Sequence, residues 1–506
     1  MDDEIESDMM RKKRLQKNTI ASFSYQIITV ICGFILPRFI LEGYGSEVNG
    51  LVSSISGFLS IIALLELGMG AVVKSALYKP LSENNQAEIS KIMLSAERFF
   101  RCVAMILAVY TIVLVLFYPV IVRHSFDYLY TAVLIFSIGI SNFMQYYFGM
   151  ANRLLLVADQ RGYIQDNVQS ITLVFNTIVS VILIWLGASI QAVKLIAALI
   201  YLCRPIVYRF YVNKYYFLDR RIEYQEEPIK QKWNGIAQHL AAFSISGIDA
   251  IILSIFGSLS DVSIYAVYSI VLKGIMQLLS SVTNGISALM GELWAKNEIE
   301  NVRNFFSGIE WAFHTVSVFV WGCTLMLLVP FVSVYINGVN DADYRVPVFA
   351  AVITLAYFMQ TIRTPYNMMI LVAGHYKQTQ KHYIIVAVLN VVISILMVKK
   401  FGVAGVAIGS FVALFYNTIW TAVYTFNYLV KNAINSFVKQ VVVDALSFVM
   451  IIVFAKGIVL GELTYIAWGV MALKIVVVVF CVQVVLNLIF YRDKVYNLIK
   501  KLSRNL

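Results

Sequence analysis

The sequence predicts an all-α integral membrane protein with about 14 transmembrane helices. These form two pseudo-symmetric six-helix bundles followed by two extra C-terminal helices. Three observations support this: apolar stretches recur along all 506 residues, basic residues collect in alternate connections, and the second half repeats landmarks of the first. Hydrophobic residues make up 60 % of the chain, and the mean hydropathy is +0.76. A chain of this length and hydropathy belongs in a bilayer.

The predicted helices follow from the length that a membrane span requires. A helix needs about 20 predominantly apolar residues to cross about 30 Å of hydrocarbon. Candidate spans lie at 19–41, 49–73, 99–122, 129–150, 164–186, 189–212, 233–256, 262–291, 309–336, 347–373, 382–398, 403–429, 440–460 and 464–490. The first is too long for a signal-peptide core and no small-residue cleavage site follows it, so we expect a transmembrane helix there.

The basic residues predict how the chain is oriented. With a cytoplasmic N-terminus, 27 of the 40 Lys and Arg residues lie in inner segments. The outer connections hold only Arg123, Arg345, Lys399, Lys400 and Lys456. This positive-inside pattern predicts that both termini are cytoplasmic. It also makes anionic lipid headgroups, and not nucleic acid, the expected partner of the net charge of +11.

The chain shows no signature of an enzyme. It contains no glycine-rich phosphate loop ending in Lys-Ser/Thr, no HExxH and no GxSxG. The longest outer connection, residues 337–346, carries only Asp341, Asp343 and Arg345 as charged groups. The five cysteines fall inside predicted spans without paired spacing, which argues against disulfides and zinc. We therefore expect transport and no catalysis, cofactor or metal.

The second half repeats the first at an offset of about 214 residues, which corresponds to six spans. The clearest correspondence pairs Asn176 and Ser180 with Asn390 and Ser394. A parallel repeat of this kind is typical of transporters. The predicted organisation is a cytoplasmic segment at 1–18, a six-helix bundle at 19–212, a polar cytoplasmic linker at 213–232, a second bundle at 233–430, two added helices at 431–491 and a basic cytoplasmic tail at 492–506.

Local motifs agree with this organisation. A basic cluster precedes Asn18-Thr19-Ile20, and the motifs that follow are Leu36-Pro37-Arg38-Phe39-Ile40, Gly43-Tyr44-Gly45, Ser46-Glu47-Val48-Asn49-Gly50 and Leu65-Glu66-Leu67-Gly68-Met69-Gly70. Together with the repeat and the two extra helices, they resemble the Wzx-type polysaccharide and O-antigen flippases. These belong to the multidrug/oligosaccharidyl-lipid/polysaccharide exporter (MOP) superfamily, which also contains the MATE transporters. The resemblance covers residues 11–490.

The resemblance implies a function in cell-surface polysaccharide and exopolysaccharide biosynthesis. The chain would move undecaprenyl-diphosphate-linked oligosaccharide from the inner to the outer leaflet of the bacterial cytoplasmic membrane, by alternating access of the two bundles. Its partners would be this lipid-linked oligosaccharide, membrane lipids, H⁺ or Na⁺ as a coupling ion, and the glycan polymerisation machinery. Two alternatives stay open: a peptidoglycan-precursor lipid flippase, and a drug/cation antiporter of the same superfamily, which would need an anionic cavity.

Ionisable residues inside the spans are the candidate functional residues, because each costs about 2.5–3.5 kcal/mol at the centre of a helix. Four are cationic and suit a diphosphate headgroup, which arginine grips bidentately and lysine attracts as a point charge. They are Arg38, Arg204, Lys273 and Arg363. Two acidic residues, Glu66 and Asp249, are the candidates for ion coupling.

Simpler roles remain open for several of these residues. Arg38 and Arg204 could extend to the membrane interfaces instead of facing substrate. Asp249 and Lys273 lie in adjacent spans and could form a structural ion pair. Lys474, in the middle of the last span, has no assigned role.

Overall fold

The structure is a computed structural model that describes residues 2–505 apart from 223, 225, 230–242, 244–246 and 432–433. The described residues form helices and connections and contain no strand, which confirms the predicted all-α class. The chain divides into two compact units, Met1–Phe243 (unit 1) and Ser244–Leu506 (unit 2). Part of the predicted linker at 213–232 and most of the seventh span lie outside the described residues.

Unit 1 contains eight described helices and one π-helical segment. They are α1 Asp2–Ser60, α2 Ala63–Ser82, α3 Gln86–Ile121, α4 Tyr128–Met144, the π-helix Gln145–Gly149, α5 Met150–Ala158, α6 Gly162–Trp185, α7 Ile190–Tyr201 and α8 Cys203–Tyr215. Helix α1 joins the first predicted span to the second. Gly45 interrupts it with φ 85° and ψ 175°, a conformation that glycine adopts without a Cβ clash. Gly45 therefore kinks α1 at the Gly43-Tyr44-Gly45 motif.

Polar contacts hold together the end of unit 1 that contains the start of α1. The Asp159 carboxylate lies 2.7 Å from Nε of Arg161 and accepts a hydrogen bond from the Tyr216 hydroxyl at 2.5 Å. Arg14 of α1 approaches the same carboxylate at 3.5 Å. Burial, reinforced by the hydrogen bond to Asp159, raises the pKa of the Tyr216 phenol. The start of α1 is thereby tied to the α5–α6 connection and to the end of α8.

Unit 2 contains ten described helices and a second π-helical segment. They are α9 Ile248–Phe256, α10 Leu259–Ala295, α11 Ile299–Tyr335, α12 Pro347–Ile362, α13 Thr364–Val372, α14 Tyr376–Phe401, α15 Val403–Tyr424, the π-helix Thr425–Val430, α16 Asn435–Ala455, α17 Tyr465–Phe490 and α18 Arg492–Asn505. A capping box of Ser258 and Asp261 starts α10. It satisfies backbone N–H groups that the first turn leaves without partners.

Helices α14 and α15 pack at very short range because glycine lines their contact. A Cβ atom on Gly405 would overlap the backbone of Met397, and one on Gly409 would overlap Ser394 and the carbonyl oxygen of Asn390. Small residues four apart allow two backbones to approach in this way in membrane helices. The contact brings the polar residues Asn390, Ser394 and Ser410 together in the interior of unit 2.

The two added helices, α16 and α17, pack against α11. Trp311 of α11 donates a hydrogen bond from Nε1 to Asn487 Oδ1 of α17 at 2.7 Å. Near the other end, the ring of Trp468 packs edge-on against Phe331, with centroids 5.2 Å apart. A Cβ atom on Gly322 would lie 2.8 Å from a methyl group of Ile451, so the α11–α16 contact is also tight. The added pair is therefore an integral part of unit 2.

The described helices match most of the predicted spans. Eleven of them are long and apolar enough to cross a membrane. The predicted span 49–73 is divided between the end of α1 and α2, and the span 347–373 is divided between α12 and α13. The remaining span, 233–256, lies largely outside the described residues. About 14 transmembrane segments in a multi-pass membrane protein is consistent with this structure.

Candidate functional site

The six candidate residues lie in two groups, one in each unit. Unit 1 carries Arg38, Glu66 and Arg204, and unit 2 carries Asp249, Lys273 and Arg363. Helices of the same unit position each group. The two groups differ in the partners that surround their charged side chains.

Arg204 lies next to a one-residue irregularity of span six at Leu202, where the backbone stays helical. Helix α7 ends at Tyr201 and α8 begins at Cys203, and Pro205 occupies the first turn of α8, where its missing N–H has little cost. The Arg204 guanidinium stacks over the ring of Tyr201 at 4.1 Å and donates from Nε to Thr172 Oγ1 at 2.7 Å. These contacts hold the cation against α6, at the break between the two helix segments.

Arg38 follows Pro37 inside α1. Its Nη2 atom forms an ion pair with Glu42 Oε1, one turn later, at 2.6 Å. The Arg38 side chain is 20 % exposed and that of Glu42 is 47 % exposed. The sequence analysis singled out Arg38 as a cation, whereas the structure shows that a neighbouring carboxylate offsets its charge.

Glu66 of α2 is bound by two side chains from the fourth span. Arg153 of α5 donates to its Oε1 at 2.8 Å, and Tyr146 of the π-helix donates to its Oε2 at 2.9 Å. The π-helical turn is a local widening of the helix that re-aims side chains. Because the predicted fourth span ends at residue 150, Arg153 falls in a connection, and the sequence did not point to this pair. The negative charge of Glu66 is therefore compensated by the Arg153 guanidinium in this structure.

Asp249 of α9 is fully buried and bound by neutral donors. Tyr265 of α10 donates to its Oδ2 at 2.9 Å, and Ser410 of α15 donates to the same atom at 2.8 Å. Its Oδ1 atom has no hydrogen-bond partner among the described residues. Asn390 accepts from Ser410 at 3.3 Å and provides a further oxygen next to the carboxylate. The group offers a pocket of oxygen atoms with a single formal negative charge.

Lys273 lies on α10, two turns after Tyr265. Its side chain is exposed on the surface of unit 2, and its ammonium group lies close enough to interact electrostatically with Asp249. The structural ion pair considered from the sequence thus remains one role for these two residues. The other role is a coupled pair, in which a change of charge on one group alters the charge state of the other.

Arg363 lies at the break between α12 and α13, in the middle of span ten. Its side chain is half-buried, and its Nε atom is buried without a hydrogen-bond partner among the described residues. The neighbouring Tyr383 hydroxyl lies within hydrogen-bonding reach of the guanidinium. Two residues earlier, Thr361 contacts Met276, which follows Lys273 by one turn on α10. The structure therefore brings the Lys273 and Arg363 regions of unit 2 close together.

A second buried polar group in unit 2 was missed by the sequence analysis. Glu310 and His314 of α11, Tyr366 of α13 and Asp444 of α16 are linked by hydrogen bonds. Glu310 and His314 are four residues apart and so share one face of a helix. That spacing was a readable signal, but nothing in the sequence points to Asp444 as their partner, 130 residues away from His314.

Within the described residues, no three His, Cys, Asp or Glu side chains are grouped so that they could hold a metal ion. The Asp249 pocket is different in kind, because its oxygen atoms come from one carboxylate, two hydroxyls and one amide. Oxygen donors of this type suit H⁺ or a monovalent hard cation such as Na⁺. The arrangement is compatible with the ion-coupling role predicted for Asp249, which stays a prediction.

Three solved structures that resemble this chain are membrane transporters of similar fold. No protein-family model matches the chain, and no curated protein matches it either. Among solved structures, the lipid II flippase MurJ in an inward closed conformation aligns with a TM-score of 0.71 at 13 % identity, over 94 % of this chain and 99 % of MurJ. An inward-facing multidrug resistance MATE transporter of the MOP superfamily aligns with a TM-score of 0.60 at 15 % identity, over 80 % of this chain and 97 % of the transporter.

A third structure, the MATE multidrug transporter DinF-BH, aligns with a TM-score of 0.53 at 12 % identity. The alignment covers 82 % of this chain and 95 % of the transporter. At such identities the similarity establishes the fold alone. The chain is a multi-pass membrane protein with the fold of the MOP-superfamily transporters.

Proposed function

We propose that this protein is a flippase that moves undecaprenyl-diphosphate-linked oligosaccharide from the cytoplasmic to the outer leaflet by alternating access. The observation that carries the proposal is Arg363, a cation at a break in a membrane span whose buried Nε–H lacks a protein acceptor among the described residues. An unsatisfied charged donor in an apolar environment is costly unless a ligand supplies the acceptor. A diphosphate oxygen is a matching acceptor.

The helix breaks in the two units support the same function. Arg204 lies beside Pro205 at the α7–α8 break, and Arg363 lies two residues before Pro365 at the α12–α13 break. Pro205 and Pro365 each remove one backbone hydrogen bond from a membrane helix, and such a position can bend the helix at membrane depth. Here each break presents an arginine, which favours an anionic substrate over an organic cation.

The direction of movement has a physical rationale. With a cytoplasm that is negative inside, outward movement of an anionic headgroup is favoured by about 2.3 kcal/mol per charge per 100 mV. Export of a diphosphate lipid can therefore be driven by the membrane potential, and coupling to H⁺ or Na⁺ at Asp249 would add to it. We place the protein in a bacterial cytoplasmic membrane with both termini inside, as its basic residues predict.

Two other functions have specific support. The alignment with the lipid II flippase covers 94 % of this chain, against 80 % for the MATE transporter. That difference favours a lipid flippase, and a peptidoglycan precursor shares the polyprenyl-diphosphate headgroup that the cations would bind. Drug/cation antiport is the weaker candidate because the ionisable groups at the helix breaks are cationic.

The test is a flipping assay with the purified protein in proteoliposomes. Undecaprenyl-diphosphate oligosaccharide is incorporated, and its appearance on the opposite leaflet is followed with an impermeant lectin or glycosidase. We expect the wild type to flip this lipid and the Lys273→Gln/Arg363→Gln variant to be at least tenfold slower, since each lost charge-assisted contact is worth about 1.5–3 kcal/mol. Lys474→Gln is the matched control, because Lys474 is exposed on the surface of α17.

Each outcome discriminates between the candidates. Full activity of the Lys273→Gln/Arg363→Gln variant would refute the assignment of the headgroup site. Flipping of lipid II, but not of the oligosaccharide lipid, would establish the peptidoglycan alternative. Transport of an organic cation without either lipid activity would establish the antiporter.

A further inference from the structure

Four side chains form a continuous line of hydrogen bonds inside unit 2. Asp444 Oδ2 lies 2.5 Å from His314 Nδ1, and His314 Nε2 lies 3.3 Å from the Tyr366 hydroxyl. The Tyr366 hydroxyl lies 2.7 Å from Glu310 Oε1, and Ser436 donates to the other Glu310 oxygen at 3.4 Å. We call Asp444, His314, Tyr366 and Glu310 the His314 chain. It links α16, α11 and α13.

The His314 chain is shielded from water. Tyr366 is 0 % exposed, Glu310 1 %, His314 2 % and Asp444 6 %. Aromatic rings surround Tyr366, with Phe306 at 5.7 Å and Phe437 at 5.5 Å between ring centroids. Ionisable groups buried within a membrane protein are rare and costly, and they commonly mark ion or proton pathways.

The contacts within the His314 chain can be compared with the number of hydrogen atoms available to them. Three hydrogen bonds join its four groups, and each bond needs one hydrogen atom. With both carboxylates ionised and the imidazole neutral, only two hydrogens are present, one on the ring and one on the phenol. A hydrogen in all three contacts therefore requires one additional proton, on His314, Asp444 or Glu310, and without it the 3.3 Å His314–Tyr366 contact holds no hydrogen.

The proton also lowers the negative charge that the nearby cations must balance. With the extra proton the His314 chain carries a net charge of −1, and Lys494 at the start of α18 provides the opposite charge. Lys494 donates to the Ser307 carbonyl at 2.8 Å and interacts electrostatically with Glu310. The other groups that face this region are the Tyr491 phenol, close to Asp444 and Glu310, and Lys439, whose ammonium lies over the Tyr491 ring.

Loss of the proton would change both the hydrogen bonding and the charge balance. One of the three hydrogen bonds would be lost, and a second negative charge would remain in an apolar environment. The His314–Tyr366 contact is the longest of the three and connects α11 to α13. It is therefore the bond that we expect to open.

We propose that the His314 chain is a proton-binding site that holds one exchangeable proton in this structure, and that loss of this proton opens the His314–Tyr366 contact between α11 and α13. The released proton leaves the imidazolium–carboxylate pair, and the Tyr366 hydroxyl keeps its hydrogen bond to Glu310. Tyr366 lies one turn after Arg363, so a change in α13 is transmitted to that cation. This last step rests on the proposed function, in which Arg363 contacts the substrate.

The first test concerns the proton alone. The protein is labelled with ¹⁵N-histidine and studied by NMR in lipid nanodiscs at about pH 7. The His314 signal is identified as the one lost in His314→Gln. We expect a ring with hydrogen at Nε2 and a strongly hydrogen-bonded Nδ1, and we expect Asp444→Asn and Tyr366→Phe to shift it. His382→Gln, which removes a histidine stacked on Trp420 far from the chain in sequence, is the control.

A His314 ring with its only hydrogen at Nδ1, unaffected by Tyr366→Phe, would overturn the proposal. So would a signal that does not respond to Asp444→Asn. These readouts need no transport activity, so they stand whether or not the proposed function is correct.

The second test concerns coupling. Flipping of the oligosaccharide lipid is measured at about pH 6 and about pH 8, where histidine-linked sites change protonation. We expect the wild-type rate to change at least threefold between them, and His314→Gln and Asp444→Asn to remove that dependence while His382→Gln keeps it. An unchanged pH dependence in both variants would refute the coupling. Absence of flipping in every protein would refute the proposed function and leave the proton site to the NMR result.

Discussion

Glu66 and Asp249 are both carboxylates in predicted membrane spans, and the two units stabilise them in opposite ways. Arg153 neutralises Glu66 at 2.8 Å in unit 1. Asp249 in unit 2 is held by the hydroxyls of Tyr265 and Ser410, and one of its oxygens has no partner among the described residues. The first is an ion pair that is complete without a ligand. The second keeps an acceptor for a proton or a cation.

The difference shows that an acidic residue in a span does not by itself mark an ion site. A carboxylate paired with arginine has little need of a further cation, because its charge is already compensated. Asp249 has neutral hydrogen-bond donors and the Lys273 ammonium within electrostatic reach, and one of its oxygens has no hydrogen-bond partner among the described residues, so it can still take up a proton or a cation. We therefore keep Asp249 as the ion-coupling candidate and regard Glu66 as a structural residue, although sequence reasoning gave them the same role.

The largest expected effect is on the Glu66 ion pair. Arg153→Met leaves a partly buried carboxylate without its cation, and we expect about 3 kcal/mol of destabilisation. The measurement is the thermal unfolding of the purified protein. Arg101→Gln is the control, because the Arg101 side chain is 47 % exposed and its ion pair with Glu97 is worth less than about 1 kcal/mol. Equal effects of the two substitutions would mean that Glu66 is not held as the structure shows.

The next effect concerns the close contact that builds the Asp249 pocket. Gly409→Ala would place a methyl group against Ser394 and the carbonyl oxygen of Asn390, so we expect about 1–3 kcal/mol of destabilisation. Gly469→Ala is the matched control in α17, where nothing lies within 4 Å of the added atom. It should be neutral or stabilising by up to about 1 kcal/mol. A fully tolerated Gly409→Ala would contradict the α14–α15 packing.

The Asp249→Asn substitution directly tests the difference between Asp249 and Glu66. Because it removes a buried charge and keeps the shape of the side chain, we expect a stability change of about 1 kcal/mol or less. It should also abolish any rise of the melting temperature with Na⁺ or with acid, which binding to the native state would produce. The same measurements on Glu66→Gln should show a loss of stability and an unaltered ion response. The reverse pattern would exchange the roles of the two acids.

The last effect, also about 1 kcal/mol, tests the internal repeat. Ser180 donates to Asn176 at 3.3 Å in unit 1, and Ser394 donates to Asn390 at 3.2 Å in unit 2. Ser180→Ala and Ser394→Ala should each cost about 1 kcal/mol, as is typical of one internal hydrogen bond. Only Ser394→Ala should also weaken the ion response, because Asn390 lies beside the Asp249 pocket. Thermal unfolding at several Na⁺ concentrations distinguishes the two.

Some of this site could be predicted from the sequence. The four cations and Asp249 stand out as charges in apolar segments, and the offset of the repeat singled out both Asn–Ser pairs before their hydrogen bonds were known. The breaks at Arg204 and Arg363 were signalled by the prolines that follow them. Gly405 and Gly409 formed a readable small-residue pattern for close helix packing, which sequence reasoning missed.

Other features could not be predicted. Arg153 was counted with a cytoplasmic connection because hydropathy locates the end of a span only to within several residues. His314 and Asp444 are 130 residues apart, and their contact depends on the added helix α16 packing against α11. No local pattern encodes which face of one helix meets which face of another, since many rotations bury similar apolar area.

The amino-acid sequence alone was sufficient for the membrane location, the all-α class, the approximate number of spans and the internal repeat, and it predicts the orientation. All of these depend on hydropathy and charge summed over local windows. Only the tertiary structure decided which buried charges are neutralised and which keep an acceptor or a proton. That depends on partners brought together from distant helices, where a shift of a few ångströms changes an electrostatic interaction in an apolar environment by several kcal/mol.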